Sequence, residues 1–341
     1  MRIVNFYRWR PGMKRWITIG WLLLTGWISA QPAGGLSTGS GLYPILMKAK
    51  YGYIDRTGKT VIPPRYVQGS RFSEGRAVVQ VSTKYGYIDK SGTMVINPTF
   101  DGANDFHEGL ALVMIKGKYS YINPGGQTVL SPNVYLASDF SEGLARIVVE
   151  SGDQVVYGFI DKSGKRVIQP VYEDASFFSE GLARVKQKGK WGYVDRSGKL
   201  VIACQYHECG NFYQQRAWVM VQGKYGFIDP QNKPIIPAAY SGAANFSEGL
   251  AAVAKADRWG YIDRTGRMII APQYELCAEF SEGLAAVKLK GKFGFIGLKG
   301  RTSIPMQYEA ADSFHDGLAM VSGRKNRGYI NPQGKFVWGP Y

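Results

Sequence analysis

The chain has 341 residues, of which 45% are hydrophobic and 20% are charged, so a packed core is expected and wholesale disorder is excluded. Its 43 glycines and 22 tyrosines favour many short strands and turns over long helices. The net charge is +16, and the three histidines and three cysteines leave little material for metal or thiol chemistry.

Residues 1–30 have the pattern of a secretory signal peptide. Five basic residues and no acid accompany an apolar run from Trp16 to Ile28, which ends at Ser29-Ala30. The run is shorter than the roughly 20 residues that cross a bilayer. We therefore expect export and removal of residues 1–30, which lowers the net charge to +11. An uncleaved N-terminal anchor is the alternative, and Met13 is an alternative start.

Residues 31–40 are rich in glycine and serine and are predicted to form a flexible linker. No cysteine follows the apolar run, which argues against lipid attachment, and no second apolar segment of spanning length occurs. The mature chain is therefore predicted to have no transmembrane segment.

From residue 41 onwards, one unit repeats along the chain with a period of 34 residues, except for 38 residues between Tyr119 and Tyr157. Each copy contains an aromatic-Gly-aromatic-aliphatic-Asp string. Clear copies of the string begin at Tyr51, Tyr85, Tyr157, Trp191, Tyr225 and Trp259, and weaker ones at Tyr119, Phe293 and Arg327.

The remaining positions of the unit predict short strands joined by tight turns. Asp-x-[Ser/Thr]-Gly after the string is typical of a hairpin loop in which the aspartate binds the backbone. A phenylalanine then precedes Ser-Glu-Gly, and it is expected to be a core residue. After Glu-Gly, one position is always alanine and the second residue after it is always β-branched, which indicates a strand with one buried face. Tyrosine and phenylalanine interchange at the second aromatic of the string, so the ring and not the hydroxyl is expected to matter there.

A single 34-residue unit cannot bury enough apolar surface to fold alone, so neighbouring units must stack. Residues 41–341 contain nine predicted three-stranded units and eight connectors. The sequence therefore predicts an all-β repeat domain, as a propeller-like toroid or, alternatively, an open β-solenoid.

The literal Trp191-Gly192 and Trp259-Gly260, preceded by Lys190 and Arg258, resemble the WG repeat family, also called KWG repeats. The resemblance covers essentially residues 41–341, although most copies have tyrosine or phenylalanine in place of tryptophan. It implies a bacterial, exported repeat scaffold. It transfers no catalytic residues.

The carboxylates, histidines and cysteines do not form a recognisable catalytic or metal site. Equivalent aspartates and glutamates recur in the hairpin and connector slots, which indicates turn and capping roles. His107 and His315 occupy the serine slot of the connector. Cys209 and Cys277 fill a slot for a small residue and are expected to be buried thiols. A disulfide between Cys204 and Cys209 is an alternative that the sequence does not decide. We expect no enzyme activity, no metal and no cofactor.

Basic residues recur at two positions of the unit. One row precedes the aromatic string and comprises Lys50, Lys84, Lys118, Lys190, Lys224, Arg258 and Lys292. The other follows the hairpin and comprises Lys59, Lys165, Lys199, Lys233, Arg267 and Arg301. Such rows either keep strand edges soluble or attract anionic envelope polymers or lipid headgroups.

Specificity is expected where the copies differ, at positions beside the invariant alanine and β-branched residue that are predicted to face outward. Leu112, Val148 and Ala286 occupy some of these positions. The candidate binding residues are Arg184, Lys186, Tyr213, Arg216, Trp218 and Met220. Tyr213 and Arg216 belong to the segment Tyr213-Gln214-Gln215-Arg216, which replaces the connector motif of one unit.

The leading functional hypothesis is a non-enzymatic binding scaffold of the bacterial cell envelope or secreted space, periplasmic, surface-bound or released. Its partner would be a protein or an anionic envelope glycan, whereas the export signal disfavours nucleic acid. The alternative is a carbohydrate-binding module that uses exposed repeat aromatics such as Trp191 and Trp259. Buried indoles favour the scaffold, and exposed indoles favour glycan stacking.

Overall fold

The computed structural model describes residues 41–324 and 326–340. The signal peptide and linker predicted for residues 1–40 lie outside the described residues. The described part is built from 34 β-strands. It contains no helix with the length and apolar character needed to cross a bilayer.

The strands form nine antiparallel sheets, each from one contiguous stretch of chain, which we call blades 1 to 9. Within a blade the strands follow one another in space as they do in the chain, and we label the four positions a to d. Seven blades have all four strands. Blade 1 has no described strand a, and blade 6 retains only a single bridge, between Cys209 and Val219, in that position.

The strands of blades 1 to 3 are β1 (Leu42–Met47), β2 (Lys50–Asp55) and β3 (Thr60–Tyr66); β4 (Gln68–Gly69), β5 (Ala77–Val81), β6 (Lys84–Ile88) and β7 (Met94–Phe100); β8 (Gly102–His107), β9 (Leu110–Ile115), β10 (Lys118–Ile122) and β11 (Thr128–Leu130). Those of blades 4 to 6 are β12 (Leu136–Ser141), β13 (Leu144–Ser151), β14 (Gln154–Asp161) and β15 (Arg166–Tyr172); β16 (Asp174–Ala175), β17 (Leu182–Gln187), β18 (Lys190–Asp195) and β19 (Leu200–Tyr206); β20 (Ala217–Val221), β21 (Lys224–Ile228) and β22 (Pro234–Tyr240).

The strands of blades 7 to 9 are β23 (Gly242–Ser247), β24 (Leu250–Lys255), β25 (Arg258–Asp263) and β26 (Met268–Tyr274); β27 (Leu276–Cys277), β28 (Leu284–Leu289), β29 (Lys292–Gly297) and β30 (Thr302–Tyr308); β31 (Ala310–Ala311), β32 (Ala319–Ser322), β33 (Arg327–Ile330) and β34 (Phe336–Trp338). The all-β repeat prediction is thus confirmed. The connectors predicted to join three-stranded units instead supply a fourth strand.

The connectors become strands because Glu-Gly forms a two-residue hairpin turn. At Ser73-Glu74-Gly75-Arg76 both central residues have positive φ, 49° and 77°, as a type I′ turn requires. Ser73 and Arg76 exchange backbone hydrogen bonds of 2.8 and 2.9 Å, which folds the connector back on the alanine strand.

Neighbouring blades pack face to face through nine separate hydrophobic cores, one for each pair of neighbours. The connector phenylalanines are all buried, as predicted. Each packs against the second aromatic of the preceding blade, with ring centroids 4.8–5.1 Å apart. The alanine of strand b is small because this pair of rings needs the room beside it.

The hydroxyl of the second aromatic does contribute, so the expectation that only its ring matters is wrong in six blades. Tyr53, for example, donates a 2.8 Å hydrogen bond to the backbone carbonyl of Ser70 in the next blade. Desolvation by burial raises the pKa of Tyr53 well above its usual range, so the hydroxyl stays protonated and donates. The other five donors are Tyr87, Tyr121, Tyr193, Tyr261 and Tyr329.

Blades 9 and 1 pack together like any other neighbours, and this closes the ring. Tyr43, Ile45 and Ile54 of blade 1 share a core with Leu318, Tyr329 and Trp338 of blade 9. The Tyr329 hydroxyl donates to the Pro44 carbonyl at 2.9 Å, and Arg327 Nη2 donates to the Leu46 carbonyl at 3.0 Å. The toroid is therefore confirmed as a nine-bladed β-propeller, and the open solenoid is not adopted.

Candidate functional site

The strand register places the repeated turns at two opposite ends of the ring. In blade 5, Leu182 pairs with Asp195 at one end and Gln187 pairs with Lys190 at the other. The Ser-Glu-Gly turns and the aspartate hairpins lie at the first end, which we call the connector end. The turns between strands b and c, such as Lys188-Gly189, lie at the second, which we call the lysine end.

The carboxylates of the connector end have the turn and capping roles predicted for them. Asp89 Oδ1 accepts backbone hydrogen bonds from Ser91 and Thr93 at 2.9 and 3.0 Å. The hydrogen bond from the Ser91 hydroxyl holds the pKa of Asp89 below its usual range. Glu74 Oε2 accepts from the backbone N–H of Gly109 in the next blade at 2.9 Å. These acids are therefore committed to the scaffold.

The glutamate contact is repeated around the ring and survives where the motif changes. Equivalent caps are made by Glu108, Glu142, Glu180, Glu248 and Glu282. In blade 6, where Gln214 replaces the glutamate, its Oε1 still accepts from the Gly249 N–H at 2.9 Å. The altered segment of blade 6 thus keeps the capping role.

The a strands line the centre of the ring. Arg71 of blade 2 and Asp312 of blade 9 interact electrostatically across blade 1, and Tyr213 of blade 6 interacts with Glu279 of blade 8 across blade 7. Desolvation raises the pKa of Glu279 and Asp312 although both residues are exposed. Side chains that are accessible to solvent and still closely surrounded by protein lie in a concave space.

Asp105 is a titratable group of this central space, and burial raises its pKa to about 6. The raised value means that protonation favours the folded state. The stabilising contribution of Asp105 to the free energy of unfolding is therefore complete below about pH 4, near the usual aspartate pKa of about 3.9. It is lost as the pH rises through about 6.

We expect Asp105→Asn to remove this part of the pH dependence. As the pH rises from 4 to 7, the Tm of the variant should increase relative to the Tm of the unchanged protein. Thermal unfolding of both proteins at several pH values measures it. A Tm difference that is constant over that range would contradict the assigned pKa shift.

The positions predicted to face outward lie instead between the blades. Leu112, Val148 and Ala286 are 5%, 2% and 2% exposed, so the expectation is wrong for them. The reason is that sheets of neighbouring blades cover both faces of strand b.

Arg184 and Lys186 lie on β17 in the space between blades 5 and 6. The Arg184 guanidinium lies 4.9 Å from the ring centre of Trp191, and its Nη1 donates to the backbone carbonyl of Cys209. Lys186 Nζ lies 5.8 Å from the same ring. Arg184 therefore bridges two blades.

The other predicted binding residues lie at different places in blade 6, and among them Tyr213 interacts electrostatically with Arg184. Tyr213 is buried, and Arg216, at the connector end, donates to the Gln215 and Arg264 carbonyls. Trp218 is half-buried and packs edge-on against Tyr225 at 5.5 Å. Met220, like Lys186 at the equivalent position of β17, lies one residue before the turn at the lysine end. Binding at these residues stays a prediction.

A cavity of about 540 Å³ opens at the lysine end between blades 5 and 6. Among its lining residues, Lys190 Nζ lies 2.6 Å from His207 Nε2. The full lining comprises Lys190, Gln205, Tyr206, His207, Met220, Val221, Gln222 and Gly223. Of the predicted binding residues only Met220 is included. The sequence signal for this cavity is the irregular unit of blade 5, which has His207 and has Cys204 where most units have proline.

All three cysteines are free thiols, so Cys204 and Cys209 are not joined. Cys209 is fully buried, as predicted, whereas Cys277 is half-buried. Burial raises their pKa values to about 11 and about 12, so both stay protonated near neutrality. Within residues 41–324 and 326–340, no three His, Cys, Asp or Glu side chains are placed to hold a metal ion.

The basic row that precedes the aromatic string lies at the lysine end. The turns there are also of the two-residue type, and lysine takes the first central position with positive φ at Lys48, Lys116, Lys188 and Lys290. Asparagine and glycine are the residues favoured in that conformation. Turn geometry therefore does not account for lysine at these positions.

Many of the lysine-end bases have no acidic partner among the described residues. Acids pair with Lys84, Arg258, Lys292 and Arg324. No ion pair is formed by Lys48, Lys50, Lys116, Lys118, Lys188, Lys224 or Lys290, all of which are exposed. Their charge is thus available to a partner.

No curated protein matches the chain. Among solved structures, similarity is found to apo AztD from Citrobacter koseri, with 13% identity, a TM-score of 0.41 and coverage of 85% of this chain and 91% of that one. Kluyveromyces lactis Hsv2p shows 10% identity, a TM-score of 0.41 and coverage of 67% and 92%. The dihydro-heme d1 dehydrogenase NirN in complex with DHE shows 12% identity, a TM-score of 0.46 and coverage of 82% and 76%.

The model of the WG containing repeat family matches eight consecutive segments of the chain. They are residues 51–84, 85–119, 119–151, 157–191, 191–225, 225–259, 259–293 and 293–322. These segments cover most of the propeller and coincide with the repeated strings read from the sequence. The chain therefore belongs to the WG containing repeat family.

Proposed function

We propose that this propeller is a non-enzymatic binding scaffold of the bacterial cell envelope or secreted space, and that its lysine end binds an anionic partner there. The observation that carries the proposal is the set of exposed lysines at one end of the ring that form no ion pair among the described residues. The basic and apolar pattern of residues 1–30 supports export. The repeated acids support a scaffold because hydrogen bonds within and between blades occupy them.

The ends of the ring differ in how their charges are arranged. At the connector end, hairpin bases such as Lys59 lie beside aspartates such as Asp55 and near the glutamates of the turns. At the lysine end, the acids Asp101, Glu275 and Glu309 each pair with a base of the preceding blade. Asp101, Glu173 and Glu275 also accept backbone hydrogen bonds from the turns. Several other bases there form no ion pair among the described residues. A positive potential is therefore concentrated at the lysine end.

The carbohydrate-binding alternative has less support. The indole of Trp191 is half-buried and carries Arg184 and Lys186 over its ring. Trp259 is also half-buried, and the edge of its indole lies against Gly242. A sugar ring would have to displace these contacts to stack on either indole.

We expect the triple variant Lys116→Gln/Lys188→Gln/Lys290→Gln to lose most of the affinity of the full chain for isolated bacterial envelopes. One lysine near an anionic surface contributes about 1 kcal/mol, so three together give a loss on the order of a hundredfold. Glutamine keeps the turn, because Gln222 already occupies this position in blade 6 with φ of 51°. Co-sedimentation with envelopes at increasing salt measures the effect.

The matched control is Lys59→Gln/Lys165→Gln/Lys199→Gln, which removes the same charge from exposed hairpins at the connector end. It should bind nearly as well as the unchanged protein. Equal losses in the two variants would mean that net charge alone drives binding, and the assignment to the lysine end would be wrong.

A further inference from the structure

We infer that the anionic partner of the lysine end is the surface of a phospholipid bilayer that contains acidic lipids. The inference rests on the proposed function, and it adds the identity of the partner. Three features of the lysine end carry it: its apolar side chains, its flatness and its charge.

Large apolar side chains are exposed among the lysines. Val81 and Val221, which end strand b in blades 2 and 6, are 40% and 43% exposed. Tyr135 and Leu276, which lie at the start of strand a in blades 4 and 8, are 46% and 45% exposed. Met47 and Val67 add to the set at 37% and 38%.

These side chains lie beside the bases. Val81 pairs with Lys84, Val221 with Lys224, and Met47 with Lys50 across the turns of their blades. Leu276 pairs with Lys288. A soluble glycan would be recognised by the charge and by hydrogen bonds, and it gains nothing from exposed valine or leucine. A bilayer interface takes up both kinds of side chain, the lysine at the headgroup and the apolar group below it.

The turns present these groups in a nearly flat array. Strands b and c are paired in the same register in successive blades, so that Met47 pairs with Lys50, Gln187 with Lys190 and Leu289 with Lys292. The turns therefore lie at equal height in blades 1 to 3 and 5 to 8, whereas in blade 4 two further residue pairs, ending at Ser151 and Gln154, carry the turn beyond the others. A planar partner can contact many of them together, whereas a single polymer chain crosses only a few.

The cavity between blades 5 and 6 opens at the same end and is compatible with this assignment. Lys190 and His207 line it, with the thioether of Met220 close by. A cationic and partly apolar depression of this kind can take up one acidic headgroup while the ring lies on the bilayer.

The test uses the full chain and vesicles of phosphatidylcholine alone or mixed with phosphatidylglycerol, with polygalacturonate as a soluble anionic glycan. All variants carry the same residues 1–40, so any contribution of that segment cancels in the comparison. We expect co-sedimentation with the acidic vesicles to fall on the order of a hundredfold in Lys116→Gln/Lys188→Gln/Lys290→Gln. It should stay close to that of the unchanged protein in Lys59→Gln/Lys165→Gln/Lys199→Gln.

The variant Val81→Ser/Val221→Ser/Leu276→Ser separates a bilayer from other polyanions. Its three sites are exposed, so the fold should tolerate the changes. We expect it to lose about thirtyfold in affinity for acidic vesicles, from the apolar area withdrawn from the interface. Its affinity for polygalacturonate should not change.

The outcomes distinguish this inference from the proposed function. Lysine-dependent binding to polygalacturonate without binding to vesicles would overturn the bilayer inference and leave in place the proposed scaffold that binds an anionic partner. Vesicle binding that is indifferent to the serine variant would also overturn the bilayer inference. Binding to neither probe, or binding that the lysine variant does not weaken, would remove both.

Discussion

Replacing Gly294 by alanine is expected to lower the free energy of unfolding by about 3 kcal/mol or more. Gly294 is the glycine of the aromatic-Gly-aromatic string in blade 8. A Cβ at this position would lie 2.6 Å from the carbonyl oxygen of Ile304 on the neighbouring strand d and 2.8 Å from the backbone nitrogen of Met306. Backbone cannot move aside as a flexible side chain can, so the strands must separate.

The control lies three residues away on the same strand. A Cβ on Gly297 would meet only the Ser303 hydroxyl, at 3.7 Å, which is ordinary contact. Gly297→Ala should therefore stay within about 0.5 kcal/mol of the unchanged protein. Urea denaturation followed by circular dichroism compares the two. Equal stabilities of the two variants would show that the close approach of strands c and d is not a requirement.

The close approach has a definite structural cause, and it recurs in eight blades. Strand d has a bulge opposite the glycine, so that Phe293 pairs with Tyr308 and Phe295 with Ile304. The bulge brings the isoleucine carbonyl against the glycine Cα. The sequence showed that the glycine recurs, but the bulge that requires it depends on the pairing of two strands and could not be inferred from spacing.

Blade 3 shows what the chain does without this glycine. Ser120 occupies the position, and strand d is reduced to the three residues Thr128–Leu130. The Ser120 hydroxyl lies 2.9 Å from that of Ser131. The serine is accommodated because the long strand d is given up, which agrees with the clash expected for Gly294→Ala.

The repeat positions predicted most of the packing, because burial of one strand face is a local property. The invariant alanines and the β-branched residues after them are almost fully buried, as period-two spacing indicates. The connector strand was missed because Glu-Gly is not the favoured sequence for a two-residue hairpin turn. The glutamate occupies the turn because its carboxylate accepts a hydrogen bond from the backbone of the next blade. This contact depends on how the blades pack and cannot be read from one unit.

The candidate site was harder to predict, because its residues come from different blades. Arg184 and Trp218 occupy the same position in successive units. Both side chains lie in spaces between blades and do not form an outward surface. The lysine row was visible in the sequence as a repeated charge. Its position at one end, with Val81 and Val221 beside it, required the strand register.

Replacing Tyr43 by alanine should destabilise the ring by about 3–5 kcal/mol, although alanine is the residue that the other eight units have at this position. Blade 1 has no described connector, so no phenylalanine packs on the second aromatic of blade 9. Tyr43 takes that place. Its ring lies 5.5 Å from that of Tyr329, and its hydroxyl donates to the backbone carbonyl of Asp316.

Tyr43→Ala would therefore leave a cavity in the core that joins the first and last blades. In a ring of stacked units the loss is expected to open this seam before the others, because each blade contacts only its neighbours. Amide hydrogen exchange should rise first in β1, β32 and β33, and urea denaturation should give the loss in stability.

Tyr43→Phe is the matched control, since it keeps the ring and removes only the hydroxyl bond, at a cost of about 1 kcal/mol. If Tyr43→Ala lowered the free energy of unfolding no more than Tyr43→Phe, the aromatic ring of Tyr43 would not stabilise the junction between blades 1 and 9. The exception to the alanine rule would then have no structural role. The geometry predicts the opposite, because one tyrosine from strand b replaces the phenylalanine that a connector supplies at every other junction. Within residues 41–324 and 326–340, the first and last blades are joined by this packing and exchange no strand.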